Sequence, residues 1–355
     1  MELGVQNGQK RVIPLNHHPD FSKQGYQVIT ELGRNSEAGR ITYLANVLNS
    51  NQQVVIKEFC FTRASADLSG VKVYQREIEI LQKLNHSRIP RYIDSFEIPG
   101  FFYLVQEYKN APSLGLKRSF HPEEIKQIAL SILEILVDLQ KQVPPIIHRD
   151  IKPENILVDE QLNAYLVDFG LARMQDAKIA LSSFVAGTPG FMPPEEQFGH
   201  ALTEASDLYS LGATLICLLT NTRSVDIGNL IDDNYRFNVQ KLVPQISPHF
   251  RSWLMRMVER NRKRRYAKAS VALKTLQEAI EVVGTATKID TLVSTIKPRK
   301  QTTVLGLATV VTLAVVGSTL VSCQPGGAVR QFLKATECQG FDFRSSCQEK
   351  TGHED

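Results

Sequence analysis

Short runs rich in apolar residues, separated by polar turns, recur from Tyr26 to about Tyr108. The runs "YQVITELG", "GRITYLAN" and "QQVVIKEFCF" read as strands separated by turns, and "RYIDSFEI" and "FFYLVQEY" as two more. Between the third and fourth runs, "VKVYQREIEILQKLNH" carries Val73, Ile80, Leu81 and Leu84 at helical spacing, which predicts a helix. From His121 onward the period becomes helical, as in "HPEEIKQIALSILEILVDLQKQ". A sheet-rich first part followed by a helix-rich second part predicts an α+β fold in two lobes. Ahead of it, residues 1–25 read as a polar leader without an apolar run, in which His17 and His18 are expected to face solvent. The folded domain is expected over 26–283, and a linker over 284–302, where periodicity lapses. No internal repeat is present.

One segment departs from both periods. Thr302 to Cys323 is a run of 22 residues without a charge, including "VLGLATVVTLAVVGSTLV". A helix of about 20 residues crosses the hydrocarbon core of a bilayer. The segment 303–323 is therefore expected to span a membrane once, with a short tail, 324–355, on the far side. Lys297, Arg299 and Lys300 precede it and Arg330 and Lys334 follow it, a slight excess of positive charge on the N-terminal side. Ala314 and Ser318 are small enough to let two such helices approach, so a homodimer is a possible assembly. Cys338 and Cys347 fall in the tail, where a disulfide could form.

Composition adds little to this. The chain has 355 residues, 43% of them hydrophobic, and a formal charge of +4. That suits a globular core and does not call for nucleic acid as a partner. The densest basic run, "RNRKRR" from Arg260 to Arg265, lacks interleaved aromatics and reads as a solvated turn after a helix. Cys60 and Cys217 read as small core residues, and no pair of cysteines has zinc spacing.

The candidate chemistry is concentrated in a few short stretches. "LGRNSEAGRITYLA" is glycine-containing and precedes a strand, but Asn35 stands where a second glycine would complete the pattern G-x-G-x-x-G. Asparagine tolerates positive φ better than most residues, so the loop could still bring backbone N–H groups to phosphates. "VVIK" places Lys57 at the end of a strand. Glu77 on the following helix shares a face with Leu81 and points toward the sheet. "IIHRDIKPENILV" sets Asp150 and Asn155 on one short loop, and "YLVDFGLAR" adds Asp168 after an apolar strand. Phosphoryl transfer to a hydroxyl needs a carboxylate to orient and deprotonate that hydroxyl. It also needs Mg²⁺ held by a carboxylate and a neutral oxygen, and a cation on the nucleotide phosphates. Asp150, Asp168, Asn155 and Lys57 could fill these roles.

Taken together and in this order, the motifs resemble those of the Hanks-type serine/threonine protein kinases of bacteria, over roughly Tyr26 to Val283. The resemblance implies a bilobal protein kinase fold with a small β-rich lobe and a larger helical one, here with one C-terminal transmembrane helix. It implies ATP and Mg²⁺ (or Mn²⁺) as cofactors and proteins as substrates. Leu32, Gly33, Arg34, Asn35, Gly39 and Ile41 match the loop that covers the nucleotide, with Gly39-Arg40-Ile41 restoring a glycine-x-valine register. Lys57 matches the strand lysine and Glu77 its helix partner. Gln106 takes the gatekeeper position, the backbones of Glu107 and Lys109 would bond adenine, and Val55 and Leu157 would line its faces. His148, Arg149, Asp150, Lys152 and Asn155 match the catalytic loop, and Asp168 to Gly170 the metal-binding turn. "GTPGFMPPEE" resembles the substrate-docking end of the activation segment. Asp207 matches the aspartate opening the central helix, and Arg265 the arginine that pairs with Glu195.

Three readings compete within this fold. Kinases of small molecules usually carry glycine in place of Arg149 and lack a segment like "GTPGFMPPEE". A pseudokinase, acting as a membrane-anchored ATP-binding or scaffold module, is suggested by the altered glycine loop, yet Lys57, Asp150, Asn155 and Asp168 are all present. A protein kinase acting on serine and threonine is favoured by Lys152, two residues after the base, and by Thr188, which could bond both Asp150 and Lys152. Arg149 is expected to pair with a phosphorylated activation segment, with Ser182 and Ser183 as candidates. ATP being cytoplasmic, the kinase domain is expected on the cytoplasmic side of the cell membrane.

Overall fold

The computed structural model describes residues 18–35, 40–60, 71–116, 118–174, 188–278 and 282–283. The expected linker, membrane span and tail lie outside the described residues, as do Gly39, Ser182 and Ser183. Among the described residues no helix is long and apolar enough to cross a membrane.

The five strand-like runs form one antiparallel sheet: β1 (Tyr26–Asn35), β2 (Arg40–Val47), β3 (Gln53–Cys60), β4 (Tyr92–Ile98) and β5 (Phe101–Glu107), in the order β1-β2-β3-β5-β4. Alternation sorts their side chains onto two faces. The outer face carries Ile41, Tyr43, Ala45, Val54, Ile56, Tyr103 and Val105, which pack into one cluster. Phe21, ahead of the expected start of the domain, joins this cluster at 1% exposure and meets Tyr43, Phe96 and Tyr103 edge-on. His18 is half-buried against the edge of Tyr43 rather than free in solvent. The inner face carries Val55, Lys57 and Phe59, paired in register with Gln106, Leu104 and Phe102 of β5.

Helix α1 (Val71–Lys83) lies between β3 and β4 in the chain and buries Tyr74, Glu77, Ile80 and Leu81; of the expected stripe Ile80, Leu81 and Leu84 are buried, and the Val73 side chain lies outside the described residues. The larger lobe is built on α2 (Pro122–Lys141) and α4 (Glu204–Leu219). Helix α2 buries one stripe. Helix α4 is buried along nearly its whole length, from Ala205 to Cys217, with Ser206, Asp207, Ser210 and Thr214 among the buried residues. Short strands β6 (Ile146–Ile147), β7 (Ile156–Val158), β8 (Ala164–Leu166) and β9 (Arg173–Met174) pair as β6 with β9 and β7 with β8. The loops between them hold the polar motifs. Helices α3 (Pro194–Gln197), α5 (Val239–Leu242), α6 (Pro248–Met257) and α7 (Ala269–Glu278) complete the lobe. One core runs from Tyr74 and Leu104 in the small lobe through Ile132 and Leu136 to Leu208, Trp253 and Leu276.

Candidate active site

Three carboxylates and three cations meet between the lobes. On the inner face of β3, Lys57 Nζ lies 2.7 Å from Glu77 Oε1 and 3.4 Å from Asp168 Oδ1. Both members of the first pair are buried, Lys57 at 5% and Glu77 at 0% exposure, so each needs the other. Asp168 sits in the left-handed region, φ +65°, a strained conformation for an aspartate, and so does Arg149 at φ +72°. Burial disfavours the Asp168 carboxylate, but Lys57 and Arg40 overcome that and hold it well below the usual carboxylate range.

The catalytic-loop candidates converge as the sequence predicts. Asn155 closes a short 3-10 turn, Pro153–Asn155, and its Nδ2 donates to the Asp150 carbonyl at 2.8 Å and to Asp150 Oδ2 at 2.7 Å. Lys152 Nζ lies 3.1 Å from Asp150 Oδ2 and donates to Thr188 Oγ1 at 2.7 Å. Thr188 in turn donates to Asp150 Oδ1 at 3.2 Å. The loop is anchored from below by Asp207 on α4, whose carboxylate accepts the backbone N–H of His148 at 2.8 Å and of Arg149 at 2.9 Å. His148 is fully buried, bonded through Nε2 to the Val167 carbonyl at 3.2 Å and edge-on to Phe169, and burial pushes its pKa down.

The residues suit a divalent cation shared with a polyphosphate. With Nδ2 committed to Asp150, the amide oxygen of Asn155 is left as a neutral ligand. Asp168 receives both of its cations on Oδ1, so Oδ2 remains as a charged one. No group of three or more His, Cys, Asp or Glu residues able to hold a metal occurs among the described residues. A site of two protein oxygens fits Mg²⁺, which keeps water and takes phosphate oxygens.

The adenine-side candidates fall on β3, on β5 and just after it, and on β7. Gln106 is buried at 4% exposure, opposite Val55 in the β3–β5 register. The Glu107 N–H is taken by the Arg91 carbonyl at 2.9 Å, which leaves its carbonyl as the group that could meet a base. Lys109 Nζ is tied back to the Ser87 carbonyl and to Glu107 Oε1, each at 2.8 Å, and its carbonyl accepts the Ala111 N–H at 2.8 Å. Leu157 is half-buried on β7 and bridges to Ser113.

The structure corrects the glycine loop. Ile41 does not line the cleft: it is 5% exposed in the outer cluster with Tyr43 and Ile56. Thr42, not Ile41, stands opposite Lys57, and Arg40 stands opposite Phe59. The expected register is thus one residue off, and a shift of one reverses the face of every side chain in a strand. Arg34 is likewise turned outward, paired across the strands with Ile41 and bound to Glu31 Oε2 at 2.8 Å. Gly33 lies opposite Thr42, Asn35 opposite Arg40, and Leu32 is 48% exposed at a bulge in β1. The hint was present in β2 itself, where Ile41, Tyr43 and Ala45 form the more apolar alternate set and Arg40 and Thr42 belong to the other.

Two further residues were not expected in the site. Arg40 Nη1 reaches Asp168 Oδ1 at 2.6 Å. Glu196, directly after the Glu195 that Arg265 grips at 2.6 and 2.7 Å, pairs through Oε1 with both Nε and Nη2 of Arg149. Glu196 is 6% exposed, and burial pushes its carboxyl up to about 7 against the pull of Arg149. Arg173 stands close by, brought down to about 10 by burial and by the neighbouring Arg149 and Arg76. The partner expected for Arg149, a phosphorylated serine of residues 175–187, lies outside the described residues. Within them, its partner is Glu196.

Comparison with known proteins bears on this geometry. The family model for the protein kinase domain matches residues 26–277. Serine/threonine-protein kinase D of Synechocystis sp. is 30% identical over 267 residues, which cover 72% of this chain and 52% of that protein. Serine/threonine-protein kinase B of the same organism is 34% identical over 223 residues, 58% of this chain and 38% of that one. Serine/threonine-protein kinase PrkC of Bacillus subtilis is 31% identical over 200 residues, 55% and 30% of the two chains. The chain thus spans about half or less of the length of these relatives. With the family model matched over most of the chain and Lys57, Asp150, Asn155 and Asp168 all present, the chain belongs to the protein kinase domain family.

Proposed function

We propose that this chain transfers the γ-phosphoryl group of ATP to serine and threonine hydroxyls of proteins, itself included. The observation that carries the reading is the triangle of Asp150, Lys152 and Thr188, closed by contacts of 2.7, 3.1 and 3.2 Å. Asp150 accepts the proton of the incoming hydroxyl as its oxygen bonds to the γ-phosphorus. The bond from that phosphorus to the β,γ-bridging oxygen breaks, and ADP leaves with the electron pair. Lys152 offsets charge on the transferred group, and Thr188 holds Asp150 and Lys152 in register. Lys57, fixed by Glu77, meets the α- and β-phosphates. Asn155 and Asp168 would hold Mg²⁺, which when bound neutralises charge on the β- and γ-phosphates. Gln106, Glu107, Lys109, Val55 and Leu157 form the adenine end.

The reading includes a membrane tether. The uncharged run Thr302–Cys323 supports a single span, and the need for ATP supports a cytoplasmic kinase domain with a short tail beyond the membrane. Small residues at Ala314 and Ser318 are compatible with a homodimer through the span. The test of the chemistry is incubation of the full chain with radiolabelled ATP, Mg²⁺ and a generic acceptor protein, followed by phosphoamino-acid analysis. Label on serine or threonine that disappears with Asp150→Asn is expected. Equal labelling by that variant would overturn the assignment.

A further inference from the structure

We propose that Arg40 is a second phosphate-directed cation of the nucleotide cleft, working beside Lys57 from the opposite strand and supplying donors that a glycine backbone would otherwise offer. The inference rests on the ATP-dependent reading above. Thr42 faces Lys57 across the β2–β3 pair, so in a glycine-x-valine register with Thr42 at the valine position, Arg40 falls at the glycine. A residue with a side chain there hinders close approach of the backbone to a phosphate. Its own guanidinium offers five donors in a planar fork suited to phosphate oxygens.

The surroundings hold that fork in the cleft. Arg40 is on the inner face of β2, with its side chain 15% exposed. Its guanidinium carbon lies 5.1 Å from the centre of the Phe59 ring, and its Nη1 is 2.6 Å from Asp168 Oδ1. A Cβ on Gly170 would come within 3.0 Å of Nη2, so the bare glycine of the metal-binding turn makes room for it. Nε is buried and has no acceptor among the described residues. Arg40 and Lys57 therefore converge on a single carboxylate oxygen, while Lys57 is already neutralised by Glu77. The set Glu77, Asp150, Asp168 against Arg40, Lys57, Lys152 has no net charge. Without Arg40 it would repel the polyanion that has to enter.

The test is the ratio of ATP to adenosine affinity in the full chain, measured by calorimetry with Mg²⁺ and again in EDTA. Adenosine has no phosphates, so the ratio separates phosphate recognition from general damage to the fold. Arg40→Met is expected to lower the ratio about tenfold or more in both conditions, the loss typical of a charge-assisted contact. Arg40→Lys, which keeps the charge and loses the fork, is expected to fall between it and the wild type. An unchanged ratio in both variants would overturn the proposal. So would a higher ratio in Arg40→Met with Mg²⁺, which would make Arg40 a competitor of the metal at Asp168. Lys57→Met serves as the reference. If it too leaves the ratio unchanged, the ATP reading of the cleft fails. If it lowers the ratio while the Arg40 variants do not, only the role of Arg40 fails.

Discussion

At the scale of single residues, the site depends on carboxylates whose surroundings differ sharply. Asp150 is held by Asn155, Lys152 and Thr188. Asp150→Asn keeps the shape and removes the base, so phosphoryl transfer is expected to fall by roughly 10²–10⁴-fold while ATP binding persists. Steady-state labelling alongside calorimetric titration with ATP checks both halves. Glu196 is the opposite case, a carboxyl raised from 4.5 to about 7 by burial despite Arg149. A raised pKa means that the folded state holds the proton where the unfolded chain releases it. The resulting stability is complete below 4.5 and is lost as pH climbs through about 7. Denaturant unfolding of wild type and Glu196→Gln at several pH values should therefore show wild type losing ground to the variant across this window. The change should be at most roughly 3 kcal/mol, then level off. A difference that grows in favour of wild type with rising pH would show that the Arg149 pair outweighs burial.

At the scale of elements, strand β2 carries the sharpest test, because its two faces do different work. Ile41 belongs to the outer cluster. Ile41→Ala is expected to destabilise the domain by about 2–5 kcal/mol, as for a buried large-to-small change, with little effect on the KM for ATP. Thr42→Asp, on the inner face opposite Lys57, is expected to raise that KM at least tenfold by placing an anion beside the phosphates. If Ile41→Ala raised the KM and Thr42→Asp did not, the register of β2 would have to move by one residue. The activation-segment end makes a similar point about glycine. Gly190 has φ +87°, and a Cβ there would lie 2.3 Å from Ile227 Cγ2. A side chain there would be strained by the backbone and would force Ile227 to shift.

At the scale of the whole molecule, one buried ion pair ties the activation-segment end to the helical lobe. Arg265, 2% exposed, binds both oxygens of Glu195, which also accepts from Ser206 Oγ at 2.8 Å. Arg265→Ala leaves Glu195 buried without its cation and is expected to cost about 3–5 kcal/mol, read as a shift in the denaturant midpoint. Cell fractionation addresses the proposed tether. The full chain should sediment with membranes, and a form ending at residue 300 should be soluble and still label acceptor proteins. A full chain found only in the soluble fraction would remove the membrane from the reading.

How much of this was legible in the chain follows from how far apart the cooperating residues stand. Asp150, Lys152 and Asn155 share one loop, so their types and spacing announce their chemistry before any folding is considered. Glu77 was legible because it shares a helix face with Leu81, whereas Lys57, on a strand buried on both faces, was legible only through the resemblance of "VVIK" to the family's strand lysine. The proposed membrane span rests on composition along a single segment, Thr302 to Cys323. The face of β2 was a different matter. Between Gly33 and the strand there are spare residues, and the local signal, the more apolar set Ile41, Tyr43 and Ala45, competes with the glycine spacing of the loop. Hydrogen bonding to β3 set Thr42 against Lys57, and the outer apolar cluster claimed Ile41, Tyr43 and Ala45. Arg40 thereby entered the cleft although 128 positions separate it from Asp168. The pairing of Arg149 with Glu196, 47 positions apart, arose the same way, because a guanidinium and a carboxyl buried by the packing of different elements each need a hydrogen-bond partner.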